Sequence, residues 1–71
     1  MKMKYDSKAD AAYISFKKGP TQVTTVRISD DVAIDLGEHE EIVGIEILSA
    51  SKNLGFSSKK PEIELENVKV A

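Results

Sequence analysis

Two aspartates and one histidine are the residues of this 71-residue sequence that could carry out acid–base or metal chemistry. Asp6 and Asp10 are four residues apart, so paired carboxylates could share a proton or bind a divalent cation. His39 is the only histidine, and the unperturbed pKa of an imidazole lies near neutrality. Short Asp side chains also accept hydrogen bonds from backbone N–H groups in turns, and we expect this structural role for both aspartates.

Other catalytic and metal-binding arrangements are missing from the sequence. It contains no cysteine, which excludes disulfides, zinc ribbons, thiol nucleophiles and iron–sulfur clusters. It has no Gly-x-Ser-x-Gly motif, and its four glycines form no phosphate-binding loop. We therefore predict no catalytic residue, no metal and no cofactor. The alternative is a small metal-dependent or acid–base enzyme that uses Asp6, Asp10 or His39.

The charges are unevenly distributed along the chain. The net charge is −2, but residues 1–29 have a balance of +4, residues 30–48 a balance of −7 and residues 49–71 a balance of +1. The acidic block can pair with the basic part of the same chain, or it can offer an acidic face to a small basic partner protein. The candidate interaction residues in this block are Asp30, Asp31, Asp35, Glu38, Glu40 and Glu41.

Nucleic acids and membranes are not expected partners. The chain has a single arginine, and the acidic block would repel a phosphate backbone. The first residues lack the apolar stretch of a signal peptide, and no apolar run approaches the length of a membrane span. We therefore expect a cytoplasmic protein.

Apolar and polar residues alternate along most of the chain, which is typical of half-buried β-strands. The pattern predicts strands at residues 1–5, 11–17, 23–28, 32–36 and 43–47, with a five-residue hairpin loop at 37–41. The fold class is therefore mainly β (small α+β): an antiparallel sheet of four to six strands built from hairpins, with one short helix near residues 49–54. In this helix Ser49 would be the N-cap and Gly55 a left-handed C-terminal residue.

The alternation also predicts which side chains form the core. We expect the short helix to dock on the sheet through Leu54 and Phe56, because so short a helix is not stable alone. The other expected core residues lie on the apolar sides of the strands: Met3, Tyr5, Ala12, Ile14, Phe16, Val26, Ile28, Val32, Ile34, Leu36, Val43, Ile45 and Ile47.

Two regions follow from this pattern. Residues 1–55 would form the β domain, and residues 56–71 a linker with a C-terminal strand or arm. Ile63 and Leu65 alternate with glutamates, whereas Val68 and Val70 have the opposite parity, so a register shift is expected at Asn67.

Two sequence motifs lie about thirty residues apart. They are Tyr5-Asp6-x-x-Ala9-Asp10-Ala11-x-Tyr13-Ile14 and Ile42-Val43-Gly44-Ile45-Glu46-Ile47-Leu48-x-Ala50-Ser51, in which Tyr5, Asp6, Asp10, Tyr13, Gly44 and Glu46 are the structural motif residues. Together the motifs resemble the prokaryotic family known as domain of unknown function 2283. The resemblance covers roughly residues 3–54 and departs from the family pattern at Ala12 and at Asp30-Asp31. It implies a small single domain without an established activity, and a protein partner of the kind found in toxin–antitoxin-like pairs.

These observations favour association over catalysis. An antiparallel sheet with one helix covers at most one of its faces, and its edge strands are free to pair. A chain this short without disulfides is only marginally stable by itself. We therefore expect a non-catalytic, antitoxin-like protein-interaction module that forms a homodimer through its sheet and binds a basic partner protein through the acidic 30–48 face.

Overall fold

Five strands and one short helix make up the regular structure of the part of the chain that the structure describes. The computed structural model describes residues 1–18 and 22–66. No helix among these residues has the length and apolar character that crossing a membrane would require. The elements are β1 (Lys2–Asp6), β2 (Ala11–Ser15), β3 (Thr24–Arg27), β4 (Val32–Leu36), β5 (Ile42–Leu48) and α1 (Ala50–Leu54).

All five strands lie in one antiparallel sheet with the order β1-β2-β5-β4-β3. The predicted fold class, a mainly β antiparallel sheet with one short helix, is therefore confirmed. The seven-residue β5 is the longest strand and lies in the centre, with β2 on one side and β4 on the other. Among the strands of the described residues, β1 and β3 lie at the two edges. The hairpin loop at 37–41 joins β4 to β5 as predicted.

The strand register divides the side chains between two faces, because residues directly opposite each other in antiparallel strands point to the same side. On the apolar face, one row across the sheet contains Met3, Ile14, Ile45, Ile34 and Val26, and the next contains Tyr5, Ala12, Ile47 and Val32. On the polar face, the corresponding rows are Lys4, Tyr13, Glu46, Ala33 and Arg27, and Lys2, Ser15, Gly44, Asp35 and Thr25.

The helix covers one end of the apolar face. Ala50, which is fully buried, packs with Ala12 and Ile47. The small side chains of the two alanines let the helix approach the sheet closely. Gly55 has a φ of 72°, the left-handed conformation predicted for it, and reverses the chain after the helix. The Phe56 ring then meets the Tyr5 ring edge-on, with a centroid distance of 4.9 Å.

Four predicted core residues are exposed, and these predictions were wrong. Leu54 is 39% exposed because the chain reverses at Gly55 and Phe56, instead of Leu54, reaches the sheet. Phe16, Val26 and Ile28 are exposed because α1 covers only the opposite part of the apolar face, and β3 has a neighbouring strand on one side only.

The alternation pattern missed Ala33, which is buried on the polar face. It lies between Arg27 and Glu46 in the register, and the side chains of these two residues approach each other to 4.0 Å. The aliphatic stems of such charged side chains can cover a small residue between them.

Residues 56–66 contain no named strand. An isolated antiparallel bridge joins Ser57 to Lys60, and residues 61–66 are exposed and irregular. The strand expected at Ile63 and Leu65 is therefore not formed here. The predicted register shift at Asn67, with Val68 and Val70, lies outside the described residues.

We predict that enlarging the residue at position 50 destabilises the fold far more than a change at position 54 on the same helix. Ala50→Val inserts two methyl groups into a fully buried contact and should lower the free energy of unfolding by about 1–3 kcal/mol. Leu54→Val at the exposed position should cost under about 1 kcal/mol. Urea denaturation followed by circular dichroism measures both, and equal losses would contradict this packing of α1.

Candidate functional site

Asp10 joins the turn between β1 and β2 to the start of α1. Its Oδ1 accepts hydrogen bonds from the Tyr5 hydroxyl at 2.6 Å and from the Ser51 N–H at 3.0 Å. Its Oδ2 accepts one from the Ser51 hydroxyl at 2.8 Å, and its backbone carbonyl accepts one from the Ala50 N–H at 2.9 Å. A residue far away in the sequence therefore caps the first turn of the helix.

Ser49 was predicted to be this cap, and the prediction of its side-chain role was wrong. Ser49 occupies the N-cap position, but its side chain makes no capping hydrogen bond and its φ is 49°. The left-handed backbone turns the chain sharply between β5 and α1. The Asp10 carboxylate then occupies the capping site, because the β1–β2 turn and the helix start lie at the same end of the sheet.

Asp6 shapes the turn that presents Asp10. The Asp6 Oδ1 accepts hydrogen bonds from the backbone N–H groups of Lys8 at 2.9 Å and Ala9 at 3.3 Å. Asp10 itself has a φ of 50°, a conformation that Asp tolerates better than most residues. The two aspartates thus have the structural role expected from their residue type.

The capping contacts shift the pKa values of both partners. The hydrogen bond from Tyr5, followed by those from Ser51, lowers the pKa of the Asp10 carboxyl below its ordinary value. The hydrogen bond to Asp10 raises the pKa of the Tyr5 hydroxyl to about 12. Near neutral pH, Asp10 is therefore ionised and Tyr5 is protonated, which are the two states that this hydrogen bond favours. This is the state of a cap, since an ionised carboxylate accepting three hydrogen bonds has no proton to donate.

A second hydrogen-bonded group lies on the polar face and links three strands, β2, β3 and β4. The Tyr13 hydroxyl donates to the Asp35 Oδ2 at 2.8 Å, and the Thr25 hydroxyl donates to the Asp35 Oδ1 at 2.7 Å. The Asp35 hydrogen bond raises the pKa of Tyr13. The Tyr13 ring crosses directly over Gly44, where any Cβ would overlap the phenol. Gly44 is therefore required for the close approach of an aromatic ring rather than for backbone freedom.

The acidic block of residues 30–48 does not form one face. Asp30 and Asp31 lie in the loop before β4, whereas Glu38, Glu40 and Glu41 lie in the loop after it, at the opposite end of the sheet. Asp35 lies between them on the polar face. These acidic residues are close together in the chain, which suggested a single acidic face, but the extended strand β4 separates the two loops.

Several acidic side chains of this block already have intramolecular partners. The Asp31 carboxylate accepts a hydrogen bond from the Asn53 amide at 3.1 Å, which ties the loop before β4 to α1. Glu41 is 3.8 Å from Lys17, and Glu46 is 4.0 Å from Arg27. Contacts with exposed partners such as these contribute little to stability, but they reduce the free negative charge.

Glu41 folds back over its own hairpin loop. Its Oε2 accepts a hydrogen bond from the His39 N–H at 2.9 Å, and its carboxylate fills the space beside Gly37. Hydrogen bonds from its own backbone and from the His39 backbone, together with Lys17, lower the pKa of the Glu41 carboxyl. This side chain organises the loop, a role that the sequence pattern did not indicate.

The residues of the enzyme alternative lie at opposite ends of the sheet. Asp6 and Asp10 flank the β1–β2 turn, which is next to the end of β5, whereas His39 is in the loop that precedes β5. The seven residues of β5 separate these ends by about 20 Å at roughly 3.3 Å per residue. Within residues 1–18 and 22–66, no three His, Asp or Glu side chains are grouped as a metal site would require.

Three exposed apolar side chains of the sheet domain lie in or beside β3, while Ile42, at 48% exposure, begins β5. Val23, Val26 and Ile28 are 42%, 43% and 60% exposed. Val26 lies on the apolar face next to Ile34, beyond the area that α1 covers. The sequence pattern identified Val26 and Ile28 as apolar-face residues, but it did not show that their strand is an edge.

Comparison with known protein families matches residues 2–51 to the family described as "Protein of unknown function (DUF2283)". The match covers well over half of the chain, and the chain belongs to this family. It contains all five strands and ends at Ser51, so the contacts of Asp10 with Tyr5 and Ser51 lie within the family domain. No curated protein and no solved structure matches the chain significantly.

We predict that the Asp10 contacts make stability depend on pH in the acid range. Because folding lowers the pKa of Asp10, its contribution is complete above the ordinary carboxyl pKa near 3.9 and is lost as pH falls through the lower folded value. Asp10→Asn should lower Tm by several degrees at pH 7, since an amide nitrogen faces hydrogen-bond donors, and should flatten the decline of Tm in acid. Asp6→Asn is the matched control, because its amide oxygen can still accept both backbone hydrogen bonds.

We also predict that Gly44 and Tyr13 are energetically coupled. Gly44→Ala should lower the free energy of unfolding by about 1–3 kcal/mol, because the new Cβ displaces the Tyr13 ring from Asp35. In a Tyr13→Val background the same change should cost under about 1 kcal/mol. A double-mutant cycle by urea denaturation measures the difference. Equal costs in both backgrounds would show that the ring does not lie over Gly44 in solution.

Proposed function

We propose that this member of the DUF2283 family is a non-catalytic protein-interaction module that associates with a second copy of itself through the β3 side of its sheet. The observation that carries the proposal is the pair of exposed apolar side chains at this edge, Val26 in β3 at 43% exposure and Ile28 just after it at 60%. A prokaryotic and cytoplasmic setting is part of the proposal, in line with what the sequence leads us to expect.

The two edges of the sheet differ, and the difference favours β3. At the β1 edge, Lys2 and Lys4 lie on the polar face, and Phe56 packs against Tyr5 on the other face. Lysines on an edge strand discourage pairing with another chain. β3 has no lysine, and its Arg27 side chain is turned toward the backbone carbonyls of Ser29 and Asp30, at 3.3 and 3.0 Å. No described residue covers the apolar side chains of β3 in a comparable way.

A basic partner protein, bound in the manner of an antitoxin, stays a prediction from the sequence. In its support, Glu38 and Glu40 are exposed in the loop before β5. The distribution of the acidic block over both ends of the sheet favours the β3 contact as the primary function. The enzyme alternative has less support, since Asp10 is occupied as a cap and His39 is remote from it.

We predict that a charge on β3 disrupts self-association. Val26→Lys should raise the dimer dissociation constant about tenfold or more, because it places an ammonium group in an apolar contact. Leu54→Lys is the matched control, since Leu54 has a similar exposure of 39% but lies on α1. Light scattering across a dilution series measures the mass, and circular dichroism verifies the fold of each variant. A wild-type chain that is monomeric at every concentration would refute the proposal.

A further inference from the structure

The hydrogen-bonding groups of β3 determine which of its residues can pair with another strand. The Ile28 N–H donates to the Val32 carbonyl at 2.8 Å, so these two residues form a hydrogen-bonded pair. Hydrogen-bonded and non-hydrogen-bonded pairs alternate along an antiparallel ladder. Val26, which is opposite Ile34, therefore also bonds toward β4. The backbone groups of Thr25 and Arg27 then point away from the sheet, toward the free edge.

A second copy can satisfy these outward groups in one favourable register. Residues directly opposite each other must lie on the same face of the sheet. In a symmetric antiparallel pair of strands, the two-fold axis therefore passes through a residue and not between two residues. A centre at Arg27 would place two guanidinium groups opposite each other and use Ser29, which lies in the bend after the strand. A centre at Thr25 would place Val23, outside β3, opposite Arg27. With the axis at Val26, Thr25 of each copy lies opposite Arg27 of the other copy, and all four residues of β3 are paired.

We propose that β3 pairs in antiparallel fashion with β3 of a second copy about a two-fold axis at Val26, which joins the two five-stranded sheets into one continuous sheet. The outward groups of Thr25 and Arg27 supply the backbone hydrogen bonds between the copies. This inference rests on the proposed function and specifies the contact by which the copies meet.

Both faces of the sheet are complementary in this register. On the apolar face, Val26 meets the Val26 of the second copy, and Ile28 meets Thr24, so the two most exposed apolar residues of the strand region lose solvent contact. On the polar face, Arg27 of one copy lies opposite Thr25 of the other, which is hydrogen-bonded to Asp35. The register therefore brings no two like charges directly opposite each other across the interface.

The absence of cysteine from the sequence makes this register directly testable by single-cysteine variants of the full chain. At the two-fold axis Val26 forms a non-hydrogen-bonded pair with itself, with a Cα–Cα distance of about 4.5 Å that a disulfide can bridge. Val26→Cys should therefore form a disulfide-linked dimer under a mild oxidant. In the Ile28→Cys variant the two thiols would be about 13 Å apart along the strands, at roughly 3.3 Å per residue. This variant should therefore form at least about tenfold less disulfide-linked dimer than Val26→Cys.

A mixture of two variants provides a second readout. Thr24→Cys and Ile28→Cys face each other in the proposed register, so their mixture should form the heterodimer in preference to either homodimer. Mass spectrometry of the non-reduced products distinguishes the three species. Each substitution is at an exposed position, and circular dichroism of the reduced proteins verifies that the sheet is formed.

The outcomes separate this inference from the proposed function. Efficient linkage of Val26→Cys together with the preferred heterodimer supports the edge-to-edge register. If Ile28→Cys links to itself as readily as Val26→Cys, the copies meet in another way, such as face to face, and the register is wrong although self-association stands. If the wild-type chain is monomeric by light scattering and no variant links, both the proposed function and this inference fail.

Discussion

The hydrogen bonds at the Asp10 carboxylate are the interaction on which the arrangement of this small domain depends. They connect the turn after β1 with the first turn of α1, two segments that are separated by 41 residues in the chain. A helix of five residues has no stability of its own, so it must be held by tertiary contacts. With the cap in place, Ala50 packs against Ala12 and Ile47. Tyr5, whose hydroxyl donates to Asp10, also packs its ring against Phe56. One carboxylate thus organises both the polar and the apolar contacts at this end of the sheet.

The single helix leaves the remainder of the apolar face with little cover. The buried cluster of Ala12, Ile47 and Ala50 lies next to α1, and Val26 in β3 has a neighbouring strand, β4, on one side only. A one-layer sheet of this size cannot bury both ends of its face with five helical residues. The exposure of Val26 and Ile28 at this edge follows from the short helix, and we propose that a second copy covers them.

The polar face has its own cross-strand order, which is independent of the helix. Tyr13, Asp35 and Thr25 form a chain of hydrogen bonds over Gly44, and Arg27 and Glu46 extend over Ala33. These contacts bind β2, β4 and β3 together across the central strand. The motif residues Tyr13, Gly44 and Glu46 thus contribute to the sheet rather than to a reaction centre.

The period-two alternation of the sequence was sufficient to predict the five strands, the two faces and the hairpin loop at 37–41, because side-chain direction in a strand depends only on local geometry. Gly55 likewise identified the helix end, since a left-handed residue is a local requirement. Tertiary structure alone decided the strand order, which makes β3 an edge and exposes Val26 and Ile28. It also replaced Ser49 by Asp10 as the cap and placed the acidic block at two ends of the sheet. These features depend on which distant segments meet in space, and no spacing along the chain encodes that directly.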